Sequence, residues 1–424
     1  MNIHSISRRA SAWGLIALCA AASAAAADGA AAPLSLQDAV RRGVERAPLV
    51  AARADSVDAM REDAVRAGRL PDPSLSVGLA NFPVTQPGAL SAASDSMTMR
   101  TVGVTQAIPS RAARTAERRV ADARIGVASA NRAATVQSVR QRVADAWIGV
   151  WAAEQRREQL AALRDESAVA VAIAKARLRG GGGSATDALA AQAEALTLEN
   201  RLDAIDAELR AARAGLGRWL GDPLPPLAAA PDFAHLPQNP ARLESAVDRQ
   251  APMQVWQARE DAARAALAAA RAAKRPDFRV SLSYGNRAPG LSDMVNLEFG
   301  VSLPLFTRYR QDAGISAEHD AWRAVQAEHE DARRDQREAV ARALAAWRGW
   351  QRQIARDRDA LLPLARDRTR TALAAFRGGA ELQPWIEARR AEIELRMSYV
   401  DARAAEAEQW AALAYLLPST GDLP

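Results

Sequence analysis

The glycine run from Gly180 to Gly183, followed by Ser184, is the stretch of this sequence that comes nearest to a chemical motif. Glycine-rich loops cradle phosphates with backbone N–H groups, but such a loop needs a lysine directly before its serine or threonine. Gly183 occupies that position. The run therefore predicts a tight turn at the tip of a helical hairpin instead of a nucleotide site.

Residue types that bind metals are few and poorly spaced for a shared ion. His319 and His329 are ten residues apart, about 15 Å along a helix, so they cannot hold one cation together. Met97 and Met99 could bind a soft cation such as Cu(I), although lipid-facing packing is the preferred interpretation. No Ser/His/Asp or Cys/His group and no convergent pair of carboxylates can be justified. We predict no metal site, no cofactor and no enzymatic activity.

The first residues have the pattern of a cleaved export signal. Arg8 and Arg9 precede an apolar stretch and a run of small residues, so residues 1–27 are predicted to be a secretory signal peptide. Cys19, the only cysteine, follows Leu18 instead of a small residue, so no lipid anchor is predicted. The net charge of +6 is dispersed along the chain, as on solvated helical faces, which argues against a nucleic-acid partner.

The two halves of the chain share one pattern at a fixed distance. Val104 corresponds to Val301 and Leu189 to Ile386, with the same separation each time (301 − 104 = 197 and 386 − 189 = 197), and an Arg-Gly-Gly tripeptide occurs in both halves. The repeat predicts two copies of one supersecondary unit, each about 200 residues long.

Each half contains a long segment with few helix breakers, and Pro363 is the one proline in the segment of the second half. No proline occurs between Ser110 and Arg179, and a helix of that length would measure about 100 Å. After the glycine run a second helix starts, and in the second half residues 309–377, a glycine break and residues 382–416 repeat the arrangement. We predict one long helical hairpin with a glycine tip in each half.

Two short β-hairpins precede the helical hairpins. Apolar residues alternate with small or polar ones, which predicts strands at about 73–82, 97–108, 278–287 and 294–306. Their length suits tilted strands in a membrane. Because a membrane sheet must close on itself and four strands are too few, several copies must share one barrel, and three copies would supply twelve strands.

At three places the sequence resembles a known family. These are Leu36-Gln-Asp-Ala-Val40, Gly103-Val-Thr-Gln-Ala-Ile-Pro109 and the tip pattern from Gly181 to Gln192. They are similar to the TolC-like outer-membrane efflux factors. The resemblance implies a mainly α fold with a small membrane β part. Duplicated helical hairpins would form a trimeric periplasmic α-barrel, and four strands per chain would contribute to a shared 12-stranded outer-membrane β-barrel.

Within this family, Leu70-Pro-Asp-Pro and the segment from Met97 to Val104 look most like the channel subunits of heavy-metal efflux systems of the resistance-nodulation-division class. The implied partners are a periplasmic adaptor, an inner-membrane pump, two further copies of the chain and outer-membrane lipid. The expected domains are a first repeat at 28–220 with its helical hairpin at 110–220, an equatorial linker at 221–240, and a second repeat at 241–424 with its helical hairpin at 309–417.

The resemblance also implies roles for residues at the tips. Asp187 and Glu387 match carboxylates that narrow the periplasmic mouth, although Asp187 also suits the start of a helix. The tips are expected to dock the adaptor, with the candidates Arg179, Gly181, Ser184, Arg377, Gly378 and Gly379. The second tip departs from the family pattern at Pro384-Trp385 and at Arg389, where glutamine is usual.

The function expected is a passive outer-membrane duct that exports heavy-metal cations or other toxic solutes. Two alternatives stay open at this point. One is a multidrug or type I secretion channel of the same fold, because a wide tube touches its cargo loosely. The other is a periplasmic coiled-coil scaffold or adaptor, which would need a compact β-rich domain and usually a single helical hairpin.

Overall fold

A computed structural model describes residues 32–85, 89–91 and 95–417, so the predicted signal peptide lies outside the described residues. The helices are α1 (Leu36–Arg46), α2 (Pro48–Arg66), α3 (Arg111–Ala161), α4 (Arg164–Arg179), α5 (Ala185–Leu220), α6 (Pro240–Ser245), α7 (Ala251–Ala272), α8 (Gln311–Arg356), α9 (Leu362–Arg377) and α10 (Gln383–Ala414). The strands are β1 (Ser74–Ala80), β2 (Met99–Ile108), β3 (Asp277–Asn286) and β4 (Met294–Ser302). The mainly helical fold with four strands is confirmed.

The four strands form one antiparallel sheet in the order β1-β2-β3-β4. The pairing of β2 with β3 joins the two halves of the chain, with Val102 opposite Tyr284 and Val104 opposite Leu282. Because side chains alternate along a strand, this register places apolar residues of all four strands on one face. The opposite face carries small and polar residues, and there the Thr105 hydroxyl donates to the Ser281 hydroxyl at 3.0 Å.

The helices form a layer. Two of them, α3 and α8, are long enough to pack against other helices both near the sheet and toward the glycine tips. Near the sheet, α3 packs against α2 and α7, and α8 packs against α7. Toward the glycine tips, α3 packs against α5 and α10, and α8 packs against α10. Each repeat thus supplies one long helix and a shorter partner at each end. No helix within the described ranges is long and apolar enough to cross a membrane.

The predicted unbroken helices are interrupted once in each half. α3 ends at Ala161 and α4 begins at Arg164, although neither glycine nor proline stands between them. The turn is held because Leu163 is buried and its carbonyl accepts a hydrogen bond from Arg389 at 2.8 Å. In the second half a π-helical turn, residues 357–361, precedes α9. Pro363 lies in the first turn of α9, where its missing N–H is tolerated.

A belt of irregular chain crosses the middle of the helical layer. Three consecutive backbone carbonyls of the linker, at residues 233–235, accept side-chain hydrogen bonds of 2.8 to 2.9 Å from Trp347, Gln351 and Trp410. Trp147 likewise donates to the carbonyl of Leu34 at 3.0 Å. The indole N–H groups of these tryptophans therefore donate hydrogen bonds to backbone carbonyls of the belt, in addition to the packing of their rings.

Candidate functional site at the hairpin tips

The two helices that lead into the tips, α4 and α9, end in the same way. Gly181 has φ +74° and Gly379 has φ +110°, a left-handed conformation that glycine adopts without strain. Each glycine N–H bonds back three residues, to the carbonyls of Leu178 and Phe376 respectively. The N–H of the next residue bonds back five residues in both tips, at 3.0 Å. Both ends are Schellman motifs, and Gly180 and Gly378 occupy the preceding cap positions.

The helices that leave the tips begin differently. Ser184 caps α5, since its hydroxyl oxygen accepts a hydrogen bond from the Asp187 N–H at 2.9 Å. α10 has no side-chain cap at Leu382, and Pro384 lies in its first turn. Leu382 is only 1% exposed, so burial takes the place of capping in the second tip.

An apolar cluster, here called the tip cluster, joins the two hairpins. The first hairpin contributes the alanines Ala170, Ala174, Ala188 and Ala191, and the second contributes Phe376, Leu382, Trp385 and Ile386. Small residues on one side and large ones on the other permit close packing of the helices. The departure from the family pattern at Trp385 is part of this core.

Arg177 bridges the two tips. Its guanidinium donates to the carbonyl of Gly182 in the first tip at 3.2 Å. It also donates to three carbonyls of the second tip, those of Phe376 at 3.0 Å, Ala380 at 2.8 Å and Gly379 at 3.0 Å. The guanidinium carbon lies 4.9 Å from the centre of the Phe376 ring. The tips, with the predicted glycines and Ser184, are thereby brought together at one end of the layer.

The repeat between the two halves does not indicate Arg177, because this residue has no arginine counterpart in the second half. Arg179 and Arg377 repeat, yet both are exposed, and neither side chain makes a hydrogen bond or ion pair within the described part of the chain. The residue that precedes the second Gly-Gly by the same distance as Arg177 is Ala375. An arginine three positions before the helix cap could have indicated this contact, because its guanidinium can reach the backbone carbonyls of a facing tip.

The two predicted constriction carboxylates have different surroundings. Asp187 is half-buried in the first turn of α5, where the helix dipole favours a negative charge. Glu387 is exposed, and its carboxylate accepts a hydrogen bond from Gln383 at 3.1 Å. Asp187 follows Gly183 by four residues and Glu387 follows Gly379 by eight (187 − 183 = 4 and 387 − 379 = 8).

A polar network extends from the tips toward the break between α3 and α4. Arg389 is fully buried and donates to Glu166 at 2.8 Å as well as to the Leu163 carbonyl. Glu392, also buried, accepts from Arg396 at 2.9 Å. Although burial alone would raise the pKa of Glu392, the hydrogen bond and charge of Arg396 hold it below the usual value of a glutamate. Arg390 donates to the buried Glu194 at 2.7 Å.

Comparison with known proteins accounts for nearly the whole chain. The model of the outer membrane efflux protein family matches residues 39–222 and 243–418. No curated protein sequence matches the chain significantly.

Solved outer-membrane channels share the fold. The VceC outer membrane protein of Vibrio cholerae has a TM-score of 0.72 at 16% identity, covering 90% of this chain and 95% of VceC. CusC has a TM-score of 0.75 at 17% identity, covering 91% and 92%. The open-state MtrE channel of Neisseria gonorrhoeae has a TM-score of 0.71 at 20% identity, covering 90% and 88%. The duplicated family match and these likenesses show that the chain belongs to the outer membrane efflux protein family.

Proposed function

We propose that the chain is the outer-membrane subunit of a tripartite efflux system and acts as a passive trimeric duct. The observation that carries this proposal is the four-stranded sheet. β1 and β4 pair on one side only within the described residues, and the apolar face is open to solvent, with Val77 76% and Phe299 71% exposed. An open edge and an apolar face are both unstable in a single chain in water.

Three copies would resolve both problems. Pairing β1 of one copy with β4 of the next would close a barrel of twelve strands, the apolar faces would contact lipid, and the polar faces would line a lumen. Helices α3 and α4 together would extend about 100 Å from this barrel, enough to reach across much of the periplasm. Because each chain has two similar helical hairpins, a ring of three chains would contain six of them.

The trimer and its location are tested together. The mature protein should fractionate with outer membranes and purify in detergent as a trimer by mass measurement. A detergent-free monomer in the soluble periplasmic fraction would exclude the duct and favour a scaffold or adaptor.

The cargo proposed is heavy-metal cations, on the basis of the resemblance around Leu70-Pro-Asp-Pro and Met97 to Val104. A deletion strain should lose tolerance to at least one of copper, silver, zinc, cobalt and cadmium, and plasmid-borne expression should restore it. Unchanged tolerance to all five, with increased sensitivity to drugs, would assign the duct to drug export. The pump and adaptor encoded beside the channel would provide independent identification.

The constriction proposed for Asp187 and Glu387 is tested by conductance. Three copies of each would form acidic rings at the mouth that attract cations. Asp187→Lys and Glu387→Lys should lower single-channel cation conductance in planar bilayers, whereas Glu381→Lys, outside the proposed rings, serves as the matched charge control. Equal currents in all three variants would remove both residues from the constriction.

The adaptor is proposed to dock at the two tips, around Arg179, Gly181, Ser184 and Arg377 to Gly379. The tips end the helical layer opposite the sheet, and the arginines project without intrachain bonds among the described residues. Combined Arg179→Ala and Arg377→Ala should weaken adaptor binding while the trimer stays intact. Full binding by the double variant would place the contact elsewhere.

A further inference from the structure

We infer that Arg100 binds a phosphate group of a membrane lipid, at the surface of the bilayer on the loop side of the sheet. The inference rests on the proposed membrane location of the strands and adds a lipid ligand together with the residue that holds it. The face on which Arg100 lies, its lack of a partner in the chain and its position along the strand carry the inference.

Arg100 lies on the apolar face of the sheet. It is the second residue of β2, and because side chains alternate along a strand, it shares a face with Val102 and Val104. The strand pairing extends this face over all four strands, and Arg100 is the only charged residue on it among the described strand residues. A face that is otherwise suited to lipid therefore carries one positive charge.

No carboxylate of the described chain neutralises that charge. Arg100 is exposed, and its side chain makes no hydrogen bond or ion pair with the described residues. Asp293, in the loop between β3 and β4, is bound to other groups. Its carboxylate accepts hydrogen bonds from the hydroxyl of Tyr284, from the amide of Asn286 at 3.0 Å and from the N–H of Arg287 at 3.2 Å. The guanidinium of Arg100 is thus available to an external anion.

A neighbouring copy would not supply the missing partner. β2 lies between β1 and β3, and Arg100 stands opposite Leu79 on one side and Asn286 on the other. In the proposed trimer the copies join β1 to β4, so β2 stays within its own chain's part of the barrel. The apolar side of β2 therefore faces lipid in the assembly as well.

The position of Arg100 along β2 sets its depth in the bilayer. Ile108, at the end of β2 nearer the helices, is eight residues away (108 − 100 = 8), about 26 Å along the strand at about 3.3 Å per residue. With a strand tilt of roughly 40°, the two residues are about 20 Å apart across the bilayer. An arginine is costly at the midplane and tolerated near the interface, so the long side chain of Arg100 should extend to the headgroups on the loop side.

Tyr284 marks the same border. It lies opposite Val102, one row of the apolar face further from the loops than Arg100, and its hydroxyl donates to Asp293 of the loop. Tyrosine is enriched where a protein surface passes from hydrocarbon to headgroups. The apolar face therefore ends at the row that contains Arg100.

The anions available at the headgroups are lipid phosphates. A guanidinium presents a planar fork of donors that can form two parallel hydrogen bonds to the oxygens of one phosphate. A lysine ammonium would supply the charge without this fork. Arg100 should therefore prefer lipids with more phosphate groups, and lysine should replace it only in part.

Lipid binding by the purified full-length protein tests the inference. The probes are lipid A with two phosphate groups and its form with one, added in detergent and counted per trimer by native mass spectrometry. The wild type should retain the form with two phosphates more strongly. Arg100→Gln should lower that affinity roughly tenfold, and Arg100→Lys by less. Arg279→Gln is the matched control, since Arg279 lies on the opposite face and pairs with Glu298 at 3.4 Å.

Equal retention of both lipids by the wild type would overturn the inference, as would an equal loss in Arg100→Gln and Arg279→Gln. Inorganic phosphate at the same concentration should not displace the lipid; displacement would indicate a site for free anions and reject the lipid. Circular dichroism and the mass of the trimer show whether each variant is assembled. A wild type that is absent from outer membranes would reject the proposed duct, and lipid binding in detergent would still decide the role of Arg100.

Discussion

The first and second tips terminate their incoming helices alike and start their outgoing helices by opposite means. Gly181 and Gly379 occupy the same position of the same motif. Ser184 then starts α5 with a polar cap, whereas Leu382 starts α10 by burial. Glycine at the stop position is required by backbone geometry, so both copies have it. A helix start can be stabilised in either way, so the copies differ there.

The two tips therefore contribute different kinds of residues to the core that they share. Leu189 and Ile386 are equivalent by the repeat, yet Leu189 is 66% exposed and Ile386 is 4% exposed. The second tip supplies the large residues of a shared core, and the first tip covers that core with alanines and presents its glycines and polar groups outward. Duplicated sequence therefore does not mean duplicated burial.

Truncation of the equivalent pair should show the largest effect. Ile386→Ala should destabilise the tips by about 2–5 kcal/mol because it leaves a cavity in the tip cluster. Leu189→Ala should change stability by less than about 0.5 kcal/mol because the side chain is exposed. Native-state hydrogen exchange of amides in residues 370–395 measures both. Equal losses would show that Leu189 is covered, by a neighbouring copy for example.

Arg389→Gln gives the second tip the residue type that the first has at the matching Gln192. It should cost about 1–3 kcal/mol, because Glu166 loses its partner and Leu163 loses one donor to its carbonyl. The turn between α3 and α4 should show the largest gain in amide exchange. Arg377 is exposed, so Arg377→Gln is the control and should leave amide exchange unchanged. Faster exchange in both variants would indicate that losing any positive charge at the tip destabilises it.

Removal of the polar cap tests the first tip alone. Ser184→Ala should cost about 1 kcal/mol and speed exchange of the Asp187 amide, which loses its acceptor. Thr186→Ala, the exposed neighbour, should have no such effect. If the Asp187 amide keeps its protection in Ser184→Ala, the cap does not hold the start of α5.

Lowering the pH should reduce the stability of the second tip more than that of the first, by a small amount. The pKa of Glu392 is lower in the folded chain than in the unfolded one, so its contribution is present above the ordinary glutamate value and disappears as pH falls through the lowered value. The matching position in the first half is Ala195. Exchange in residues 385–400 measured at falling pH should reveal this loss, and Glu392→Gln should abolish the pH dependence. A dependence that persists in the variant belongs to another group.

Periodicity and glycine positions were sufficient to predict much of the fold. The alternation in β3 and β4 and the proline-poor segments before Gly180 and Gly378 are local signals, so the strands and long helices could be predicted. The break at Leu163 could not, because a buried arginine more than two hundred residues away stabilises it. The bridge by Arg177 was missed for a similar reason: its acceptors are backbone carbonyls, which carry no sequence signature.

The pairing of β2 with β3 dictates when the sheet can form. Val102 meets Tyr284 only after the whole first helical hairpin, the segment that follows it and α7 have been synthesised, so the ladder depends on contacts of long sequence separation. Until then β1 and β2 expose an apolar face and an unpaired edge, which invites aggregation. A chain halted midway through its synthesis would therefore keep this apolar face uncovered, and we expect such truncated chains to aggregate.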